Sequence, residues 1–220
     1  MLQRLTAAPP WSQVAPRRRP CDNPISMRLI LASSSPRRQE ILRQAGYEFD
    51  IRPSSVPEEA LARETPEHFV RRLAREKALE VAAESPAGSL VLGADTAVVV
   101  SGQILGKPLD GADASRMLSM LSGRPHQVLT GVCLAQAPHR ILAVRHAATQ
   151  VWFRRLAEAE IRDYVASGEP LDKAGAYAIQ GRASRFVTRI AGCYFNVVGL
   201  PISLVDELLR SIAGAEVTTR

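Results

Sequence analysis

The sequence predicts a mixed α/β fold in which helices flank an elongated, twisted sheet. Apolar runs of strand length alternate irregularly with segments of helical periodicity, and short turn sequences separate several of the strand-like runs. Hairpins of this kind do not belong to a regular parallel winding, so a mixed sheet is the better interpretation. The 220 residues are 46% hydrophobic and 23% charged, a composition that supports a sizeable core.

The predicted helices are recognised by their ends and their periodicity. Ser35 and Thr65 are N-cap residues that a proline follows, which fits the first helical turn. Gly123 ends a third helix whose apolar residues recur at spacings of three and four. In chain order the helices are expected at 36 to about 46, 66–84, 112–121, 157–166 and 201–212.

The predicted strands are short apolar runs bounded by turn residues. They are expected at 29–32, 90–92, 97–100, 126–135 and 140–153, with two further strands before the last helix. Asp95 is expected to interrupt the β stretch between 90 and 100, and Ser101-Gly102 is a plausible hairpin turn after it.

Residues 1–26 predict a disordered basic leader, outside the folded domain. They contain five prolines and an arginine triplet, and their net charge of +3 is half of the +6 of the whole chain. They lack the continuous apolar stretch of a secretory signal. The leader is either an organellar transit peptide or a start assigned upstream of the true one at Met27. Because the remaining residues carry only +3, binding to nucleic acid is not expected.

Cysteine and histidine usage argues against a disulfide framework or a zinc site. The three cysteines are odd in number and far apart, and the four histidines are equally scattered. No run of about 18 apolar residues is present that could span a membrane. We therefore expect a cytoplasmic protein without a membrane partner.

The segment Ser33–Arg38 is the first candidate site. A strand that leads into a helix N-terminus presents unpaired N–H groups, which bind anions readily. Arg37 and Arg38 fall in the first turn, where their charge opposes the helix dipole unless an anion such as a polyphosphate binds there. The alternative is a solvated arginine pair at the start of a surface helix.

Lys77 and Asp95 are the next candidates. Lys77 lies along an apolar helical stripe, so it either extends along the edge of that stripe into solvent or points into a phosphate-binding cleft. Asp95 lies among strand-forming residues, and a carboxylate there needs a partner: Mg²⁺, a cationic neighbour or a catalytic water. A structural aspartate hydrogen-bonded to a turn is the alternative.

Three further features carry little weight on spacing alone. Lys107 follows the predicted hairpin, and Glu58 belongs to an acidic pair for which a solvated loop is the simpler interpretation. The glycines of 172–181 (DKAGAYAIQG) could admit a ligand to the backbone, but they match no Walker or dinucleotide pattern.

Taken together, these motifs resemble the Maf family from Met27 to about Val205. The matching stretches are LILASSSPRRQEIL (29–42), REKA (75–78), VLGADTAVVVSGQILGKPLD (91–110), MLSMLSG (117–123), HQVLTGV (126–132), DKAGAYAIQG (172–181) and NVVGLP (196–201). The resemblance implies one domain over 27–215, with two lobes around a central cleft and often a homodimer.

The resemblance also implies hydrolysis of a nucleoside triphosphate between its α and β phosphates, with Mg²⁺ or Mn²⁺ as cofactor. Asp95 is then the catalytic residue, as general base or as organiser of the metal, and Glu58 matches an acidic position near that metal. The residues implied to bind the substrate phosphates are Ser33, Arg37, Arg38, Lys77 and Lys107.

Within the family, DKAGAY followed by a glutamine resembles the branch that acts on dTTP and UTP. On that resemblance Arg37, Thr96 and Gln180 select the base. Ala178 stands where glycine is usual and Cys193 where serine is usual, and the first departure lies close to Gln180. Three alternatives stay open: the branch that acts on 7-methyl-GTP, a non-catalytic regulator of septum formation, and a nucleic-acid-binding module that uses the arginines.

Overall fold

The computed structural model describes residues 27–217, with side chains to residue 212. Its centre is a seven-stranded sheet of order β2-β1-β3-β5-β6-β7, in which β4 pairs with the distal part of β3. The strands are β1 (Leu29–Leu31), β2 (Asp50–Ile51), β3 (Leu90–Val100), β4 (Gln103–Leu105), β5 (Pro125–Gln136), β6 (Arg140–Phe153) and β7 (Val187–Ala191). β1 runs parallel to β2 and β3, and the other pairs are antiparallel. The predicted mixed α/β class is confirmed.

Helices cover the sheet. They are α1 (Pro36–Gln44), α2 (Pro66–Ala83), α3 (Gly111–Leu121), α4 (Glu158–Ala166), α5 (Tyr194–Val198) and α6 (Ile202–Val217). Ser35 and Thr65 cap α1 and α2 as predicted, because each hydroxyl accepts the N–H of the residue three positions on. No helix in the described range 27–217 is long and apolar enough to cross a membrane. The predicted leader, residues 1–26, lies outside the described residues.

Two glycines let α2 lie directly on the sheet. A Cβ atom on Gly93 would come within 2.2 Å of the Ala74 carbonyl oxygen, and one on Gly131 within 2.0 Å of the Val70 carbonyl oxygen. Gly93 and Asp95 are two residues apart on β3, so both face α2. The close approach therefore brings the next part of α2, which carries Lys77, over Asp95.

Two apolar clusters form the two predicted lobes. One packs α3 and α4 against the sheet and includes Leu118, Tyr164 and Phe186. The other packs α1 and α6 and includes Leu42 and Leu209. A cleft opens between the two.

Two details of the predicted secondary structure are wrong. β3 is continuous, and Asp95 stays in the ladder opposite Gly131, because Lys77 supplies the partner that a buried carboxylate needs. Of the two strands predicted before the last helix, the described part of the chain has one, β7. Three 3₁₀-helices take the place of the other, because Gly168 and Gly175 adopt φ angles of 74° and 67°, which a strand does not accommodate.

His126 is a buried histidine whose titration should affect stability. Its Nε2 lies 2.9 Å from the Tyr177 hydroxyl, and its ring packs edge-on against Phe153. Burial lowers the pKa of His126 to about 4. Between pH 6.5 and 4 the unfolded chain therefore binds a proton that the folded chain does not, and the free energy of unfolding falls as the pH drops.

We expect the titration of His126 to lower the free energy of unfolding by about 3 kcal/mol between neutral pH and about pH 4. Chemical denaturation of the wild type and His126→Gln across this range measures it. The stability difference between the two proteins should change by that amount, and a difference independent of pH would contradict the assignment.

Candidate active site

A cavity of about 360 Å³ occupies the cleft between the lobes. It brings together every residue for which a site role was predicted: Ser33, Arg37, Arg38, Glu58, Lys77, Asp95, Thr96, Lys107 and Gln180. These residues come from six separate regions of the chain, and the fold collects them on one surface.

A chain of alternating charges runs along one wall of the cavity. Asp95 Oδ1 accepts a hydrogen bond from Lys77 Nζ at 2.6 Å, and the same ammonium donates to Glu58 Oε1 at 2.6 Å. Lys107 Nζ donates to the other oxygen of Glu58 at 2.8 Å. Lys77 and Asp95 are buried, with side chains 7% and 6% exposed, whereas Glu58 and Lys107 reach solvent. The chain therefore leads from the buried end of the cavity to its mouth.

The carboxyl groups of Asp95 and Glu58, the two acidic members of this row of charges, have different proton affinities. Burial raises the pKa of Asp95, because the loss of hydration of its carboxylate outweighs the stabilisation of that carboxylate by the positive charges of Lys77 and Arg38. Burial acts in the same direction on Glu58, but hydrogen bonds from Lys107 and Lys77 outweigh it and lower the pKa of Glu58 to about 2. Carboxyl groups whose environments separate their pKa values can take different chemical roles. Asp95 is the better proton acceptor of the two, and Glu58 stays ionised.

Arg38 ties the two sides of the cavity floor together. Its guanidinium donates to Ser33 Oγ at 3.1 Å, Ala94 O at 2.9 Å, Thr96 Oγ1 at 3.1 Å and Gly199 O at 2.8 Å. Burial lowers the pKa of Arg38. Because protein acceptors take four of its five N–H groups, Arg38 holds Ser33 and Thr96 in place whether or not it also touches a ligand.

Arg37 points to the opposite wall. Its Nη1 lies 4.0 Å from the carboxylate of Asp172, which also accepts a hydrogen bond from Lys173. Asp172 and Lys173 both line the cavity and belong to the segment 172–181, but neither was predicted to have a site role of its own. Their signal in the sequence was membership of that segment, which is weak by itself.

A family model described as "Maf-like protein" matches residues 28–212, most of the chain. The chain belongs to the Maf-like protein family.

Several curated relatives of this Maf-like chain are each named "dTTP/UTP pyrophosphatase". The protein from Geobacter metallireducens is 51% identical over 189 residues, which cover 86% of this chain and 98% of the relative. The protein from Koribacter versatilis is 52% identical over 186 residues, covering 84% and 95%. The protein from Vibrio cholerae is 50% identical over 185 residues, covering 83% and 97%.

A buried polar chain in this Maf-like protein also escaped sequence reasoning. The Thr96 and Thr130 hydroxyls are 3.0 Å apart, and Thr130 donates to the Asn196 carbonyl oxygen at 3.1 Å. Asn196 is fully buried and donates through Nδ2 to Val128 O. In the sequence, Thr130 and Asn196 are recognisable only as polar residues inside apolar runs, and this pattern does not reveal their hydrogen-bond partners. These hydrogen bonds hold Thr96 in addition to the one that it accepts from Arg38.

The two departures from the usual family residues leave the backbone unstrained. Ala178 is not among the residues of positive φ, so the glycine that is usual there is not required for conformation. Cys193 has a φ of −93° before α5, and its carbonyl oxygen accepts from Thr149. Ala178 lines the cavity, whereas Cys193 is not among its lining residues.

Asp95 and Glu58 offer the oxygen ligands that Mg²⁺ and Mn²⁺ prefer. Both carboxylates accept a hydrogen bond from the same Lys77 nitrogen at 2.6 Å, so the two groups are neighbours in the cavity, on either side of that ammonium. Within residues 27–212, no group of three or more histidine, cysteine, aspartate or glutamate side chains could hold a metal ion. This donor set fits a cation held by two carboxylates and completed by substrate phosphates and water, as is common for Mg²⁺.

Proposed function

We propose that this protein is a nucleoside triphosphate pyrophosphatase that hydrolyses dTTP and UTP to the monophosphate and pyrophosphate. The observation that carries the proposal is a buried carboxylate, Asp95, bonded to Lys77 in a cavity that the Ser33–Arg38 turn and Lys107 also line. The names of relatives that are about half identical over most of their length support the same reaction.

The triphosphate binds along the cationic side of the cavity. The Ser33–Arg38 turn before and within the start of α1 lines this space together with the Arg37 guanidinium, and Lys107 is a half-exposed cation at its solvent side. Helix N-termini and arginine are well suited to phosphate oxygens. The Ser33 hydroxyl accepts from Ser35 N and from Arg38, so its own hydrogen is directed to another acceptor, which a phosphate oxygen provides.

Asp95 performs the proton transfer. It orients a water molecule and takes its proton as the water oxygen bonds to the α phosphorus, and the bond from that phosphorus to the bridging oxygen breaks. Pyrophosphate leaves with the bridging oxygen. Lys77 holds Asp95 in place and stabilises negative charge on the phosphates. A divalent cation held by Asp95 and Glu58 would supply further neutralisation of the phosphate charge.

Gln180, which is exposed at the cavity wall, selects the base together with Arg37 and Thr96, which line the same cavity. The carboxamide of Gln180 both donates and accepts hydrogen bonds, which matches the O4 acceptor and the N3–H donor of thymine and uracil.

A substrate panel tests the proposed function. Purified protein is given dTTP, UTP, GTP or 7-methyl-GTP with Mg²⁺ or Mn²⁺, and release of pyrophosphate is measured. We expect turnover of dTTP and UTP in preference to the other two. Fastest turnover of 7-methyl-GTP would assign the protein to the sister branch, and nucleotide binding without turnover would support a regulatory role.

Lys107→Ala should lower kcat/KM for dTTP by about tenfold, which corresponds to one charge-assisted hydrogen bond to phosphate. Steady-state kinetics measures the change. Arg116→Ala is the matched control, because Arg116 is an exposed cation that pairs with Asp113 away from the cavity lining. If the two variants have the same kcat/KM, Lys107 does not bind the phosphates.

A further inference from the structure

The cavity wall that carries Gln180 is anchored by a tyrosine and a carboxylate behind it. Tyr164 on α4 is fully buried, and its hydroxyl accepts the Ala178 N–H at 3.2 Å and donates to Glu169 Oε1 at 2.9 Å. The second oxygen, Glu169 Oε2, accepts the Arg182 N–H at 3.1 Å. The pair therefore binds the backbone two residues before Gln180 and two residues after it.

Gly181 makes this contact close. A Cβ atom at Gly181 would lie 2.0 Å from Glu169 Oε1, so only glycine leaves room for the carboxylate against the chain. The Gly181 N–H donates to Ala178 O at 3.0 Å and closes the turn around Gln180. Neither Tyr164 nor Glu169 belongs to the cavity lining, so they act on a ligand only through this backbone.

The position of the turn matters because the chemistry of Gln180 alone does not distinguish the bases. Uracil and guanine both present a carbonyl acceptor next to an N–H donor, and a carboxamide can pair with either. The two edges differ in their distance from the ribose, because a purine is longer than a pyrimidine. Selection therefore depends on where the backbone holds the carboxamide, and a shift of about 1 Å in such a contact is costly.

We propose that Tyr164 and Glu169 are positioning residues that set base selectivity by fixing the turn that carries Gln180. The inference rests on the proposed function and deepens it. It concerns recognition of the base, and it leaves the reaction at the α phosphorus to the residues around Asp95.

The test is Tyr164→Phe, which keeps the ring and removes the hydroxyl that bridges Ala178 and Glu169. We expect KM for UTP to rise about tenfold and the preference for UTP over GTP in kcat/KM to fall about tenfold, with kcat for UTP within about twofold of the wild type. Tyr47→Phe is the matched control. Tyr47 also donates to a carboxylate, Asp206, but it belongs to the lobe of α1 and α6 and is not part of the cavity lining.

Glu169→Gln provides a second variant, which keeps the volume and replaces one acceptor oxygen with a donor group. It should shift KM and selectivity in the same direction, and it serves if Tyr164→Phe does not fold. Unchanged selectivity in the variants, or an equal loss of kcat for both nucleotides together with a lower Tm, would overturn the positioning role. A wild type that hydrolyses none of the nucleotides overturns the proposed function itself, whereas a selective wild type with equally selective variants overturns this inference alone.

Discussion

Asp95→Asn should lower kcat for dTTP by about a thousandfold, the typical contribution of a positioned general base. Asparagine keeps the volume of the side chain and an oxygen that can accept from Lys77 Nζ, now at 2.6 Å from Asp95. It cannot take a proton from water and is a poorer ligand for a divalent cation. Steady-state turnover at saturating dTTP measures the effect.

Asp163→Asn is the control for this prediction, because Asp163 is an exposed aspartate on α4. It should keep wild-type turnover. Circular dichroism of Asp95→Asn should match the wild type, so that the loss is chemical. Turnover of Asp95→Asn close to that of Asp163→Asn would remove Asp95 from the reaction.

Lys77→Met should be both inactive and unstable. The Lys77 ammonium is the hydrogen-bond donor to Asp95 Oδ1 and to Glu58 Oε1, and the methionine leaves a buried carboxylate without its cation. Breaking a buried pair on one side costs about 3 kcal/mol or more, so the free energy of unfolding should fall by that order. Chemical denaturation and dTTP turnover measure the two effects.

The double variant Lys77→Met with Asp95→Asn separates these effects. Removing both charges should recover most of the lost stability, because the unpaired carboxylate is gone, but it should recover no activity. Arg75→Met on the same helix is exposed and should change stability by less than about 0.5 kcal/mol. If Lys77→Met is as stable as Arg75→Met, the buried ion pair does not contribute as the structure indicates.

The sequence predicted local features of the fold more accurately than long-range ones. The caps at Ser35 and Thr65 depend on bonds that span three residues, so the pattern alone was enough to place them. The 3₁₀-helices before β7 were missed, because the positive φ angles of Gly168 and Gly175 follow from packing rather than from periodicity.

The candidate site was predicted as a set of residues, but not as an arrangement. The partner of Asp95 could not be deduced, because Lys77 lies 18 residues away on a helix whose approach depends on Gly93 and Gly131. Their position in the first turn of a helix did not distinguish Arg37 from Arg38, which only the family resemblance separated. In the structure Arg38 turns inward to Gly199 O, a bond that spans 161 residues, and no local pattern encodes such a contact.

The proposed reaction depends on the attack of a water molecule, oriented by Asp95, on the α phosphorus. Hydrolysis of dTTP in water enriched in oxygen-18, followed by mass spectrometry of both products, tests it most directly. Attack at the α phosphorus should leave one oxygen-18 atom in dTMP and none in pyrophosphate. Label in the pyrophosphate, or release of dTDP and phosphate, would contradict it.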